Sequence, residues 1–338
     1  MTSPNFAVEA RQLSRDYVST RRSHLVGKKT TTIIRALDHV DFEIREGELF
    51  GLLGPNGAGK TTTVKILCTL LEPTSGHAFV KGYDVIKDAN RVRKIVNMVA
   101  GGERMLYNRL TARENLRYFA DLYDVPKKEV SFRVNSLLEL MGLDDRADDE
   151  VEKYSKGMRQ RLQVCRGLIN DPEVLFLDEP TLGLDINIAK DLRNFIRDKV
   201  VREQGKTVLL TTHYMYEAEE MCDRVGFLSK GKLVAVGTTE ELKRKTPSGF
   251  SIEMLVVRLT DEVIRDLRGL EYVKKVIKID YEGEAEGEKV DRLIIDVDSD
   301  KALPQVLSYM ASKQCRVTSF NVRGPTLEDL FMRYTGGK

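Results

Sequence analysis

Gly54-Pro55-Asn56-Gly57-Ala58-Gly59-Lys60-Thr61-Thr62 follows the apolar run Leu49-Phe50-Gly51-Leu52-Leu53 and leads into Val64-Lys65-Ile66-Leu67. An apolar run, a glycine-rich turn and a helix-forming segment in that order read as strand, loop and helix. The glycines leave backbone N–H groups free to curl around an anion, the helix N-terminus adds its dipole, and Lys60 brings a point charge. A loop of this kind cradles phosphates. Its candidate nucleotide-binding residues are Asn56, Gly57, Ala58, Gly59, Lys60, Thr61 and Thr62, with the Thr61 hydroxyl placed to ligate Mg²⁺.

Outward from that loop, the 338 residues suggest two domains and a real core. Lys plus Arg number 54 against 52 Asp plus Glu, a formal charge of +2, which lacks the basic footprint of a nucleic-acid binder. Cys68, Cys165, Cys222 and Cys315 are scattered without a Cys-x-x-Cys pair, so they read as small apolar residues of a reducing compartment, not as a zinc site or a disulfide framework. No apolar run approaches the ~18 to 20 residues that span a bilayer, and the N-terminus has no secretory pattern. The expected location is cytoplasmic, with docking onto a membrane protein left open.

Ahead of the loop, Ala7-Val8-Glu9-Ala10 reads as an edge strand leading to Tyr17, an aromatic that either stacks on adenine or packs on the neighbouring sheet. Residues 18–35 are polar and basic, a solvated loop or hairpin, and Val40 to Ile44 alternates as a half-buried strand. Beyond the loop, Ala78-Phe79-Val80 and Ile95 to Ala100 are strands. Thr111-Ala112-Arg113-Glu114 is a capping box opening a helix through Leu122, and Val130 to Met141 is a second helix stopped by Gly142. With the helix capped by Ser155 they form a helical lobe over about 104–170.

Val174 to Leu177 is a buried strand ending in Asp178 and Glu179; period two sends these carboxylates to opposite faces and hence to different tasks. A helix over Ile186 to Val201 precedes the strand Thr207 to Thr211, with His213 at its end, and a hairpin and a helix reaching about Lys245 close the first domain, 1–245. The linker Thr246-Pro247-Ser248-Gly249 opens a second domain, 246–338, whose order β-α-β-β-α-β is ferredoxin-like. Its terminal helix carries Leu327, Leu330, Phe331 and Tyr334 as an apolar stripe, for a dimer contact or for its own sheet.

The loop at 54–62, Ser155-Lys156-Gly157-Met158, the strand ending in Asp178-Glu179, Leu182-Gly183-Leu184-Asp185 and His213, in that order, resemble the ATP-binding subunit of an ABC transporter over residues 7–245. The closing stretch Pro325 to Gly336 is similar to the tail of the daunorubicin-resistance-type branch, whose members work with a separate ABC-2-type permease. The resemblance implies an α/β fold, a RecA-like P-loop ATPase core with an antiparallel β subdomain and an inserted helical lobe, followed by the α+β ferredoxin-like domain. It also implies ATP and Mg²⁺ as cofactors. Lys60 and the backbone of 56–61 would bind phosphates, Thr61 would ligate Mg²⁺ directly and Asp178 through water. Glu179 would be the base for the attacking water and His213 the switch that senses the γ-phosphate. Ser155, Gly157 and Asp185 would complete a nucleotide site shared between two copies, or between the chain and a close paralogue, on the cytoplasmic face of the membrane.

Two positions depart from the family pattern. Ser-Gly-Gly-Gln is replaced by Ser155-Lys156-Gly157-Met158, and the usual glutamine after the core sheet by Gly101-Gly102-Glu103, where Glu103 either offers Mg²⁺ an oxygen or leaves the place vacant. The expected function is an ATPase powering export. The rival is a non-transport ATPase of the same family acting on nucleic acid or the ribosome; the long coiled coil or the second cassette of such proteins is not in this sequence.

Overall fold

The computed structural model describes residues 6–22, 29–100, 106–244, 250–285, 288–324 and 326–335. Two compact units divide the chain, Met1–Thr239 and Glu240–Lys338. The first runs β1 (Phe6–Arg22), β2 (Lys29–Arg45), β3 (Leu49–Leu53), α1 (Lys60–Leu67), β4 (Ser75–Val80), β5 (Tyr83–Asp84), α2 (Ala89–Ile95) and β6 (Val96–Ala100). It continues through α3 (Ala112–Leu122), α4 (Lys127–Leu140) and α5 (Lys156–Leu168), then β7 (Val174–Asp178), α6 (Ile186–Asn194), β8 (Thr207–Thr212), α7 (Met215–Met221), β9 (Arg224–Ser229) and β10 (Lys232–Gly237).

Every residue of β3, β7 and β8 is buried. Strands covered on both faces are apolar through most of their length, which is why these segments read as near-continuous runs; the polar residues Asp178, Thr211 and Thr212 fall at the carboxyl ends of β7 and β8. They belong to a sheet of order β10-β9-β3-β8-β7-β6, parallel except for β10. Because β8 lies between β3 and β7, Leu53 pairs with Thr212 and Thr211 with Asp178. The loop leaving β3 therefore starts in line with the ends of the two strands that carry the acidic pair and His213. The crevice outside the carboxyl ends of such strands is where open α/β sheets bind ligands.

A second, antiparallel sheet has the order β2-β1-β4-β5. Its β1 is interior, not the edge strand expected from sequence, because β2 begins at Lys29 and pairs along β1 as far as Arg22 while β4 covers the other side. The described parts of 18–35 are thus arms of a hairpin. Val8, Leu13, Val40 and Ile44 of this sheet share one core with Leu52, Ile66, Phe176 and Leu228, and Phe42 stacks on Phe50 at 5.8 Å between ring centroids.

Thr111 caps α3 as the capping box requires, accepting from the Glu114 N–H while Glu114 accepts from Thr111 N–H at 2.8 Å. The single helix expected over Ile186–Val201 is α6 continued by a π-helical stretch, Phe195–Glu203, a change of hydrogen-bond period that composition does not announce. All four cysteines are free and buried, and burial pushes the thiols of Cys68, Cys165 and Cys222 well up, so they stay neutral.

After α8 (Thr239–Arg244) the second unit runs β11 (Phe250–Val257), α9 (Asp261–Arg268), β12 (Val273–Ala285), β13 (Glu288–Val297), α10 (Leu303–Ser312), β14 (Arg316–Arg323) and α11 (Leu327–Thr335). The antiparallel order β12-β13-β11-β14 is the ferredoxin-like arrangement. Ile252, Met254 and Val256 pack with Val263 and Leu267 of α9 and Val306 and Met310 of α10. Leu327 and Leu330 are already buried within the chain, so that half of the terminal stripe is occupied without a partner. The linker at 246–249 lies outside the described residues.

Candidate nucleotide-hydrolysis site

The loop between β3 and α1 needs glycine for space as well as for turn geometry. A Cβ on Gly54 would lie 2.3 Å from the Leu228 carbonyl oxygen; one on Gly59, at φ +111, would lie 2.5 Å from that of Ala36. Gly59 is also the cap of α1, with no side chain to take the first helical N–H groups. Those of Lys60, Thr61 and Thr62 have no partner inside the helix, and an anion satisfies them. Gly59→Ala should therefore cost about 1–3 kcal/mol in backbone strain alone, with more from the clash. A drop in melting temperature together with weakened nucleotide binding, by calorimetry and fluorescent-nucleotide titration, checks this.

Lys60 is buried beneath the loop, donating from Nζ to the carbonyls of Gly54 at 2.7 Å and Pro55 at 3.3 Å, and lies 3.4 Å from Glu179 Oε1. Next to it, Thr61 Oγ1 donates to Asp178 Oδ2 at 2.8 Å, and the other Asp178 oxygen accepts from Thr211 Oγ1. The expectation that Asp178 and Glu179 face opposite ways is corrected here. Asp178 is the last strand residue, and Glu179 has φ +52, outside extended geometry, with its N–H held by the Thr211 carbonyl at 3.0 Å. Neighbouring carboxylates thereby reach neighbouring residues of α1. They still differ in partner: Asp178 faces hydroxyls, whereas Glu179 Oε1 lies between Lys60 and His213, whose Nδ1 is 3.4 Å away. A left-handed backbone at a glutamate is uncommon and carries strain, here at the residue between the lysine and the histidine.

Tyr17 stands beside the loop with its hydroxyl 3.4 Å from Thr62 Oγ1, while the Arg15 guanidinium sits 5.1 Å from its ring centroid. With 38% of its surface exposed it is not an aromatic packed into the sheet. Asn56 and Gly57 are exposed and Ala58 is buried. Glu103 lies outside the described residues.

Ser155, Gly157 and Asp185 form a second cluster, around the N-termini of α5 and α6. Ser155 accepts from Met158 N–H at 3.2 Å, and Asp185 caps α6 through its backbone, its carbonyl accepting from Ala189. A Cβ on Gly157 would meet Ile188 at 2.8 Å, and one on Gly183 would meet Lys156 Nζ at 2.3 Å. No hydrogen bond among the described residues joins Ser155 to the loop at 54–62. A cleft of about 840 Å³ lined by Arg93, Asn97, Tyr123, Arg133 and Arg166 takes no residue from that loop and adds nothing to its chemistry.

Helix α7 has no counterpart among the elements expected from sequence. Met215, Ala218 and Met221 recur at helical spacing and are buried, a signal that was available.

A phosphate-binding loop at the carboxyl edge of a parallel sheet, with a hydroxyl–carboxylate pair and a Lys–Glu–His cluster beside it, defines a P-loop nucleoside triphosphatase of the RecA-like class. The ABC transporter family profile matches residues 37–182, and that of the ATP-binding protein DrrA1-3-like C-terminal domain matches 237–335. The chain is 34% identical over 315 residues to the linearmycin resistance ATP-binding protein LnrL of Bacillus subtilis (strain 168), an overlap of 92% of this chain and 95% of that protein. It is 36% identical over 304 residues to the daunorubicin resistance ATP-binding protein DrrA2 of Streptomyces coeruleorubidus, an overlap of 89% and 91%. Among solved structures, the dimeric post-hydrolysis state of the ATP-binding cassette MJ0796 bound to ADP and Pi is similar at TM-score 0.58 and 26% identity, over 68% of this chain and 98% of that one. The chain belongs to the ATP-binding proteins of ABC transporters, and it is an ATPase.

Proposed function

We propose that two copies of this chain close around two ATP molecules and that hydrolysis there powers export through a separate ABC-2-type permease. The observation that carries the hydrolytic part is the Glu179 carboxylate held between Lys60 and His213, next to the Thr61–Asp178 pair. The N–H groups of the loop and Lys60 bind the β- and γ-phosphates; in doing so Lys60 exchanges Glu179 and the loop carbonyls for phosphate oxygen. Water attacks the γ-phosphorus, the bond to the bridging oxygen breaks, ADP leaves, and Glu179 accepts the proton of the water. His213 keeps the freed carboxylate aimed. Thr61 and Asp178, two hard oxygen donors 2.8 Å apart, fit Mg²⁺, which would neutralise charge on the phosphates. Tyr17 offers its ring to adenine, Ser155, Gly157 and Asp185 of one copy complete the site of the other, and Glu103 either gives the same metal an oxygen or leaves that place vacant. The C-terminal unit, 246–338 in its main part, is an accessory or dimer-stabilising domain.

No described helix is long and apolar enough to cross a membrane, and in this reading the path for a substrate lies in the permease. We place the protein in the cytoplasm, peripheral to the membrane. The test is affinity purification of the tagged chain from detergent-solubilised membranes. Co-elution of a membrane subunit with about six apolar spans, and ATP-dependent uptake into inverted vesicles containing both, is the expected result. Co-elution with ribosomes or nucleic acid instead would overturn the transport reading in favour of its rival.

A further inference from the structure

Helix α7 carries a carboxylate where an apolar residue would cost less. Glu217 is 1% exposed, among Met215, Ala218 and Met221, which form the rest of the buried face. Burying a carboxylate is unfavourable unless each oxygen is used, and here each is. Oε2 accepts from Thr181 Oγ1 at 2.9 Å and from Thr212 Oγ1 at 3.1 Å, and Oε1 lies 3.4 Å from Arg193 Nη1. Arg193 is itself buried, pairs with Glu220 at 3.0 Å and lies 5.4 Å from the Tyr216 ring centroid, so the cation is fixed from three sides.

What Glu217 joins is specific. Thr181 is two residues past Glu179, and Thr212 directly precedes His213. The Thr212 hydroxyl also accepts from Tyr214 N–H at 3.0 Å, so both its donor and its acceptor are committed. One carboxylate oxygen, Oε2, thus ties the loop behind the base to the turn carrying the histidine, while the other, Oε1, reaches through Arg193 to the helix capped by Asp185. The contact it spans is the 3.4 Å between Glu179 Oε1 and His213 Nδ1.

We propose that Glu217 is a positioning residue for hydrolysis: by holding Thr181 and Thr212 on one oxygen it sets the separation of Glu179 from His213, and so aims the base. This rests on the reading of Glu179 as that base. Displacement of about 1 Å at a reacting centre can cost 10²-fold in rate. Glu217 is buried and its contacts are Thr181, Thr212 and Arg193, none of them in the loop at 54–62, so its loss should appear in kcat and not in binding.

The test uses the full-length chain with Thr181→Val, Thr212→Val, the two combined, the Thr→Ser counterpart at each threonine, and Glu179→Gln. The valines keep volume and delete only the hydroxyl; the serines keep the hydroxyl. Rates are expressed per nucleotide-binding-competent molecule, from fluorescent-nucleotide titration, so misfolded protein does not count. Expected are kcat values about 10- to 100-fold down for both valines, ATP KM within about twofold, recovery in the serines, and no further loss when Thr181→Val is added to Thr212→Val, since either change alone opens the clamp. Wild-type kcat in both valines, or a fall the serines fail to rescue, would overturn the proposal while an inactive Glu179→Gln leaves the base assignment standing. An active Glu179→Gln would overturn that assignment, and the proposal with it.

Discussion

Glu179→Gln should lower ATP turnover by roughly 10² to 10⁴, the span that loss of a general base covers, while nucleotide affinity is kept. The amide matches the carboxylate in shape but cannot take up the proton of the attacking water. Affinity is kept because the groups proposed to hold phosphate, the loop N–H groups and Lys60, lie on α1 and the turn before it, not on the residue changed. The substitution also removes the carboxylate that sits 3.4 Å from Lys60 Nζ, so the lysine is no less available to the γ-phosphate. Steady-state phosphate release and equilibrium nucleotide titration on one preparation separate the two effects. Near wild-type release would refute the role given to Glu179.

The second large effect concerns sharing. Lys60→Ala should lose nucleotide binding, since the buried ammonium is the fixed charge under the loop. Ser155→Ala should bind ATP normally, because Ser155 is exposed at the cap of α5 and its hydrogen bond goes to its own helix. Each alone should hydrolyse at background. Mixed in equal amounts, half of the pairs combine an intact loop from one chain with an intact serine from the other, and about a quarter of wild-type activity should return if the two sites work independently. No recovery at any ratio would argue against a composite site or require both sites to be intact, and a Ser155→Ala protein with full activity would exclude the composite site outright.

The loop at 54–62 was legible because its chemistry is contiguous: one turn supplies the glycines, the lysine and the hydroxyl. Asp178, Glu179 and His213 could be placed at strand ends because apolar runs stop at them. That they meet the loop depends on the strand order β3-β8-β7, a pairing between distant segments that no local pattern states. The left-handed turn at Glu179 was hidden for a related reason, since period two holds only inside a strand and Glu179 lies one residue beyond β7. The interior position of β1 was likewise set by the length of its partner β2. Glu217 escaped because a carboxylate on a short helix reads as solvated, and only the hydroxyls brought from β8 and the loop after β7 show otherwise. By contrast, the second unit announced itself through local signals, alternating strands and helices with Gly269 just past the end of α9, and these need no distant partner to be read.

The central claim is that ATP is held between two copies of this chain. The measurement that bears on it most directly is the solution mass of the Glu179→Gln protein by multi-angle light scattering, with and without ATP and Mg²⁺. Expected are a species of the mass of one 38.4 kDa chain without nucleotide and one of twice that mass with ATP, the doubling being reversed by adding Ser155→Ala to the same chain. A single-chain mass at saturating ATP, in a protein that binds the nucleotide and fails to hydrolyse it, would contradict the claim.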